Sequence, residues 1–233
     1  MAYTPRRPVA DLPFDAQDIM LRYSHSHPAV PFEFEDTLEV WPVEISRYHG
    51  EDDCPRCRED GTCEFFETGI PIGDMSLVRI RNYTKDPGWE AADSYTGDIE
   101  KVVSVCTEPE YAMTPGLHWS PEFQDMVEGV GDLLIMDRVR LNTEFRGFGI
   151  GALVAAEAIR RLSPGCAAVA CEPAPIEGEF DDDEPRFAKA QARIAEVWES
   201  IGFRSFKDGI YLLDTSMQHP IDCRERWQRY FGR

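Results

Sequence analysis

The segment RVRLNTEFRGFGIGALVAAEAIRRL, residues 138–162, decides how the fold is interpreted. Three glycines, Gly147, Gly149 and Gly151, stand between an apolar run and a stretch whose apolar residues recur at helical spacing. This order predicts a strand, a loop and then a helix. Glycines leave the loop's backbone N–H groups uncovered, and the first turn of a helix adds unpaired N–H groups and a positive dipole end. The segment therefore predicts a phosphate or diphosphate site. The alternative is a tight turn that needs glycine for packing alone.

Strand patterns surround this segment on both sides. They occur at residues 32–48 with an interruption at Pro42, and at residues 69–84, 101–108, 132–141 and 166–173. Asp208-Gly209 predicts the turn of a further hairpin near the end of the chain. Most neighbouring strands are therefore expected to be antiparallel.

Helical patterns follow three start signals. Ser120-Pro121 is a capping pair for a helix running to about Val130, the glycine loop starts the second helix, and residue 187 lies near the start of the third. Shorter helices are predicted at residues 15–23 and in the tail, and residues 82–100 are predicted as a loop. The fold class is α/β (α+β): a mostly antiparallel sheet with one parallel βαβ crossover at residues 132–172 and helices on both faces.

The length of 233 residues favours one domain. We place it at residues 31–214, with a polar, Cys-containing insertion at 49–63. Residues 1–30 are predicted to be an N-terminal extension packed on the domain, and residues 215–233 a C-terminal tail.

The charge balance narrows the classes of partner. The chain has 24 basic and 43 acidic residues, a net charge of -19, which argues against nucleic acid and anionic membranes and favours a cationic partner. It shows no signal peptide and no apolar run of about 18 residues. Seven cysteines, an odd number spread along the chain, indicate reduced thiols and a cytoplasmic protein.

One interpretation of the loop is a dinucleotide fingerprint. Gly147-x-Gly149-x-x-Ala152 fits G-x-G-x-x-G/A, and Glu172 follows at about the 20 residues that such sites require. A dinucleotide fold needs several further parallel strands, and the chain after Glu172 has room for one helix and a hairpin. A dinucleotide-binding oxidoreductase is therefore the second alternative.

The second interpretation comes from a resemblance. LLIMDRVRLNTEFRGFGIGALVAAEAIRRL is similar to motif A of the GNAT family of acyl-CoA N-acyltransferases, whose core R/Q-x-x-G-x-G/A corresponds to Arg146-x-x-Gly149-x-Gly151. AEVWESIGFRSFKDGIYLL resembles the family's final helix, its Gly202-Phe203 step and the closing strand pair. The resemblance covers residues 130–214, and extends to 35–110 as a run of antiparallel strands.

The resemblance implies that acetyl-CoA, or a related acyl-CoA, binds at the loop as acyl donor. In that family the loop's amides bind the diphosphate, and the preceding strand pairs its backbone with the pantetheine arm as if with an added strand. The residues implied to bind the cofactor are Val139, Leu141, Arg146, Gly147, Phe148, Gly149, Ile150 and Gly151.

The resemblance also implies direct transfer of the acyl group to a primary amine within a ternary complex. Asp137 stands where some members of that family carry an acid/base residue. Strand alternation predicts Asp137 on the same face as Val139 and Leu141. The alternative role for Asp137 is an ordinary strand-end charge paired with Arg138 or Arg140.

One position departs from the family pattern. Many members have a tyrosine on the last helix that protonates the leaving thiolate, and this chain has Trp198 there. An indole N–H donates a hydrogen bond but releases no proton at neutral pH, so Tyr211, another tyrosine or water would take that role. A non-catalytic acyl-CoA-binding or interaction module is therefore the first alternative. The acceptor is expected to be a small-molecule or peptide amine, and the protein a monomer or homodimer.

A cluster of soft ligands lies in the polar insertion. His49, Cys54, Cys57 and Cys63 could hold zinc as one His and three Cys ligands, and Cys54-x-x-Cys57 is the strongest part of this pattern. No second C-x-x-C follows, and the spacing to Cys63 is not that of a common zinc finger. Ordinary thiols in a surface loop are therefore the favoured interpretation, and no metal ligand is assigned.

Overall fold

The computed structural model describes residues 3–30, 33–50, 63–176 and 184–232. The fold is mixed α/β, as the sequence predicts. The strands are β1 (Ile19–Tyr23), β2 (Leu38–Arg47), β3 (Ile70–Ile80), β4 (Asp132–Leu141), β5 (Cys166–Cys171), β6 (Arg204–Ser205) and β7 (Tyr211–Asp214). The helices are α1 (Gly88–Tyr95), α2 (Gly97–Cys106), α3 (Pro121–Met126), α4 (Ile150–Leu162), α5 (Glu184–Glu199) and α6 (Gln218–Phe231). In this described part, no helix is long and apolar enough to cross a membrane.

The seven strands form one sheet in the order β1-β2-β3-β4-β5-β7-β6. Neighbouring strands run antiparallel except β4 and β5, which are parallel and are joined by α4. The predicted crossover at residues 132–172 is therefore confirmed. A single parallel pair in the described sheet is fewer than a dinucleotide-binding fold requires.

The two strands of the parallel pair separate partway along β4. Their ladder runs from Asp132 opposite Cys166 to Ile135 opposite Ala170, and then stops. Residues 136–141 of β4 continue beside β3 alone. The backbone of this part of β4 therefore has no strand on its other side, and a wedge-shaped opening follows.

Helices cover both faces of the sheet. One face buries Leu134 and Met136 of β4 against helices α4, α5 and α6. The other face buries Leu133 and Ile135 against α1, α2 and α3. Strand β5 lies between these layers and all of its residues are buried, as its run of small apolar side chains predicts.

Residues 101–106 belong to helix α2, so the strand predicted at residues 101–108 is wrong. The buried residues of α2 are Ile99, Val102, Val103 and Cys106, a helical stripe that packs on the sheet. The side chain of Thr96 caps the helix by accepting from the N–H of Ile99 at 3.3 Å. The β-branched valines suggested a strand, but the stripe and the cap outweigh their propensity. The loop predicted at residues 82–100 is likewise mostly α1 and the start of α2.

Residues 15–23 were expected to be helical, but most of them form β1. Ile19, Leu21 and Tyr23 pack on the core, while Met20 and Arg22 alternate outward. This period of two belongs to a strand, and β1 pairs with β2 as the edge of the sheet. The predicted boundary at residue 31 therefore falls after the first strand.

Pro42 does not interrupt β2. Its carbonyl oxygen accepts from the N–H of Ser24 at 3.1 Å, so its ring nitrogen also faces the β1 side. Strand β1 has already ended there, at Tyr23, and the ladder to β3 loses no hydrogen bond. Helix α3 is shorter than predicted: it starts at the predicted cap but ends at Met126 instead of near Val130.

Candidate functional site

The glycine loop presents unpaired backbone amides at the start of α4. Gly147 and Gly149 have φ angles of 89° and 90°, in the left-handed region that favours glycine. Within the described residues, no acceptor takes a hydrogen bond from the N–H groups of Phe148, Gly149, Ile150 or Gly151. These donors lie at the positive end of a thirteen-residue helix, an arrangement that suits an anion.

The loop is fixed to the structure from two directions. The Arg146 side chain turns back and donates from Nε to the carbonyl oxygen of Leu141, at 2.6 Å. Phe148 is fully buried beneath the loop and holds it to the core. The donors are therefore in place before any ligand arrives, which lowers the entropy cost of binding.

Glycine is needed at positions 149 and 151 for different reasons. A Cβ on Gly149 would lie 2.5 Å from Cζ3 of Trp227, a contact that no real side chain makes. A Cβ on Gly151 would meet only Cδ1 of Leu141, at 3.9 Å, and would project into open space. Packing therefore requires Gly149, whereas Gly151 keeps open a space that the protein leaves empty.

That space is a cleft of about 340 Å³. Strand β4 and the glycine loop form one side, and residues 172–176 and α5 form the other. Its lining includes these predicted site residues: Asp137, Val139, Leu141, Arg146, Gly147, Gly149, Ile150 and Gly151. Phe148 is the exception, because its side chain is buried behind the loop. The cleft thus brings the predicted site residues together where β4 and β5 separate.

A bulge in β4 sets the position of Asp137. Leu77 of β3 lies opposite Met136 and the preceding Ser76 lies opposite Arg138, so Asp137 is the extra residue with no partner. A bulge bends a strand and redirects its side chains. This one falls just beyond the last residue that pairs with β5, at the narrow end of the wedge.

The bulge overturns the predicted alternation of Asp137 with Val139 and Leu141. Leu141 is buried in the core beneath α4. Asp137 instead interacts electrostatically with Tyr95 of α1 and Asp98 of α2, which belong to the opposite face. Asp137 also lines the cleft, so it lies where the cleft opens toward those two helices.

The surroundings of Asp137 raise its pKa. Burial has the largest effect, and the nearby carboxylate of Asp98 acts in the same direction. The charge of Arg138 and a hydrogen bond from Ser76 partly oppose this rise. A carboxylate with a raised pKa accepts a proton more readily, as a general base must.

Trp198, which stands where the resemblance expects a tyrosine, lines the cleft. Tyr211 is not among the residues that line the cleft, so it does not replace that tyrosine there. Tyr3 does line the cleft, and Tyr95 lies close enough to Asp137 for the carboxylate to raise its pKa, after the larger effect of burial. No sequence pattern points to these two tyrosines, because tertiary packing alone brings them to the site.

Two of the four candidate zinc ligands can be placed. Nε2 of His49 lies 3.4 Å from Sγ of Cys63, whereas Cys54 and Cys57 lie outside the described residues. Among the described residues, no three His, Cys, Asp or Glu side chains come together as a metal site.

Most of the acidic run at residues 177–184 also lies outside the described part.

Neither the comparison with protein-family models nor the search of curated proteins found a match for this chain. The functional assignment therefore depends on the geometry of the cleft and the chemistry of its residues.

Proposed function

We propose that this protein is an N-acetyltransferase that moves an acetyl or related acyl group from acyl-CoA to a primary amine. The unpaired amides of residues 148–151, facing a cleft beside the unpaired edge of β4, carry the proposal. A diphosphate suits the amides, and an amide-rich pantetheine arm suits the strand edge. Coenzyme A joins these two groups in one molecule.

The chain's own residues account for binding, positioning and proton movement. The amides of the glycine loop hold the diphosphate, and the backbone of Val139 and Leu141 aligns the pantetheine arm. The amine nitrogen attacks the thioester carbonyl carbon, the C–N bond forms and the C–S bond breaks. Asp137 receives the proton that the amine loses, through water, and the sulfur leaves as a thiol after taking up a proton.

A cationic acceptor fits the surroundings of Asp137. A second cavity of about 890 Å³ is bordered by Tyr95, the same residue that neighbours Asp137. Its lining includes the acidic residues Glu33, Glu35, Asp36 and Glu39, together with the cation Arg81. In a chain of net charge -19, this excess of carboxylates favours a protonated amine.

The five described cysteines are free thiols, which supports a reducing compartment such as the cytoplasm.

The binding step is tested by thermal unfolding with acetyl-CoA, CoA, pantetheine and NAD. At about 100 times the dissociation constant, CoA compounds should raise the melting temperature by roughly 5–10 °C. NAD should leave it unchanged. Stabilisation by NAD but not by CoA compounds would refute the proposal and favour an oxidoreductase.

Gly151→Leu supplies a variant that blocks the cleft without straining the backbone. Leucine is a good helix former, and its side chain would project into the cleft beside Leu141. We expect CoA binding to weaken at least about 10-fold, equivalent to 1.4 kcal/mol. Gly97→Leu is the matched control, because a Cβ at this helix-start glycine meets nothing within 4 Å. Equal CoA affinity in the two variants would count against the assigned site.

Trp198 in the cleft supports a second candidate, a non-catalytic acyl-CoA-binding module. Release of free thiol from acetyl-CoA with a panel of primary amines separates the two functions. The enzyme should release thiol in an amine-dependent manner, and Asp137→Asn should lower that rate by about 100-fold or more while binding persists. Binding of acetyl-CoA without thiol release from any amine would favour the module.

A further inference from the structure

The N-terminal segment Tyr3–Arg7, called the strap below, lies across the glycine loop. The N–H of Arg7 donates to the carbonyl oxygen of Gly147 at 3.1 Å, and its Nη1 donates to the carbonyl oxygen of Glu144 at 2.7 Å. The Arg7 guanidinium lies over the Phe148 ring, 3.9 Å from its centroid. One arginine therefore fastens the strap to the loop by three contacts.

The strap binds the loop without consuming its donors. Its hydrogen bonds go to the carbonyl oxygens of Glu144 and Gly147, whereas the N–H groups of residues 148–151 have no acceptor among the described residues. Pro5 also packs against the loop, with Cγ 3.1 Å from the position of a Cβ on Gly149. The amides remain available, and Tyr3 continues the strap into the lining of the cleft.

The strap adds positive charge beside these amides. Neither Arg6 nor Arg7 forms a salt bridge with a carboxylate in the described part of the chain, whereas Arg79 and Arg140 do. Arg6 is exposed, and its charge is close enough to Tyr3 to act on the phenol in the cleft. Both arginines lie beside the glycine loop, because a Cβ on Gly147 would lie 3.9 Å from Cβ of Arg6 and 3.4 Å from Cδ of Arg7.

We propose that the strap completes the phosphate-binding site, and that Arg6 forms an ion pair with a phosphate group of the bound acyl-CoA. This inference rests on the function proposed above and adds a binding residue to it. Arg7 holds the strap in position, which leaves the guanidinium of Arg6 free to turn toward the ligand. A guanidinium matches a phosphate group with paired N–H donors.

Arg6→Gln tests the proposal, with Arg161→Gln as the matched control. Arg161 is an exposed arginine in the last turn of α4, at the far end of the helix that begins at the loop. The two variants change the net charge equally. Dissociation constants for CoA, 3′-dephospho-CoA and pantetheine are measured by calorimetry at about 0.05 M salt, where ion pairs to phosphate are weakly screened.

We expect Arg6→Gln to weaken CoA binding about 10-fold and to leave pantetheine binding unchanged. Arg6→Lys should recover part of the loss, and Arg161→Gln should bind CoA like the wild type. If the effect of Arg6→Gln persists with 3′-dephospho-CoA, Arg6 pairs with the diphosphate. If the effect disappears with that ligand, the 3′-phosphate is the partner. Either result supports the proposal.

Three results would overturn the proposal, and only the last of them also refutes the proposed function. Wild-type protein that binds CoA, together with an Arg6→Gln variant that binds equally well, removes the role of Arg6 and leaves the proposed function intact. Equal weakening in Arg6→Gln and Arg161→Gln has the same meaning, because it assigns the effect to net charge. Wild-type protein that binds no CoA compound refutes the proposed function, and the role of Arg6 with it.

Discussion

At Asp137, charges of opposite sign from two elements act on one carboxyl group. Burial and Asp98 of α2 raise its pKa, whereas Arg138 of β4 and Ser76 of β3 lower it. The Tyr95 hydroxyl of α1 also faces this group, and the carboxylate raises the pKa of Tyr95 in turn. If Asp137 is the base, activity falls when it becomes protonated, so its pKa sets the acid limb of the rate profile.

Two substitutions should move that acid limb in opposite directions. Asp98→Asn removes a like charge, lowers the pKa of Asp137 and shifts the limb to lower pH. Arg138→Gln removes an opposite charge, raises this pKa and shifts the limb to higher pH. The measurement is kcat/KM for amine-dependent thiol release against pH. Shifts of the same sign would show that Asp137 does not control the limb.

The buried carboxylate of Asp214 stabilises the fold through the hydrogen bonds that it accepts. Burial alone would raise the pKa of Asp214. The carboxylate, however, accepts hydrogen bonds from the Ser216 hydroxyl and from the N–H groups of Glu128 and Ser216, and it lies near the charge of Arg204. Together these interactions outweigh burial, so the pKa of Asp214 is lowered. The Glu128 N–H bond, at 3.0 Å, ties the end of β7 to the segment before β4.

We expect Asp214→Asn to cost about 1–3 kcal/mol of unfolding free energy at neutral pH. A depressed pKa stabilises the fold above the unfolded value of about 3.9, and this stabilisation disappears as pH falls through the folded value. The difference in urea unfolding between the wild type and the variant should therefore shrink as the pH falls below about 3.9 and through the lowered pKa of Asp214. A difference that stays constant across this acid range would contradict the assignment.

At the scale of elements, the two glycines at the start of α4 have different surroundings. Gly149 has a φ angle of 90° and packs against Trp227, whereas Gly151 lies within the helix beside open space. Gly149→Ala should cost at least about 2 kcal/mol, from the left-handed backbone and the clash with the indole. Gly151→Ala should be neutral or stabilise by about 0.5–1 kcal/mol. Melting curves of the two variants check this difference, and equal stabilities would show that Trp227 does not pack as described.

Local sequence patterns predicted the elements on which the cleft depends. The limits of α4 follow from Gly149 before it and the Ser163-Pro164-Gly165 stop after it, and the buried strand β5 follows from its small apolar residues. The errors at β1 and α2 occurred where propensity and pattern disagree. In both, the period of the buried residues gave the correct element, because burial contributes more free energy than intrinsic propensity.

At the scale of the whole molecule, the site contains parts that no local pattern specifies. The bulge at Asp137 depends on the register between β3 and β4, and Arg7 of the strap contacts Glu144, which lies 137 positions away in the sequence. Tyr3 and Trp227 come from opposite ends of the chain and lie with ring centroids 6.0 Å apart beside the same loop. Such contacts join residues distant in sequence, so composition and periodicity carry no information about them.

The net charge of -19 is also a property of the whole molecule, and it predicts how stability depends on salt. Mutual repulsion of excess carboxylates destabilises the compact state, and raising ionic strength from about 0.01 M to about 0.15 M shortens the screening length from about 30 Å to about 8 Å. At neutral pH, the melting temperature should rise by about 2–4 °C, equivalent to about 1 kcal/mol. At pH 4.6, the isoelectric point of the sequence, the same salt should have little effect because the net charge is near zero. An equal salt effect at both pH values would mean that ion pairs or general solvation, rather than net repulsion, govern the response.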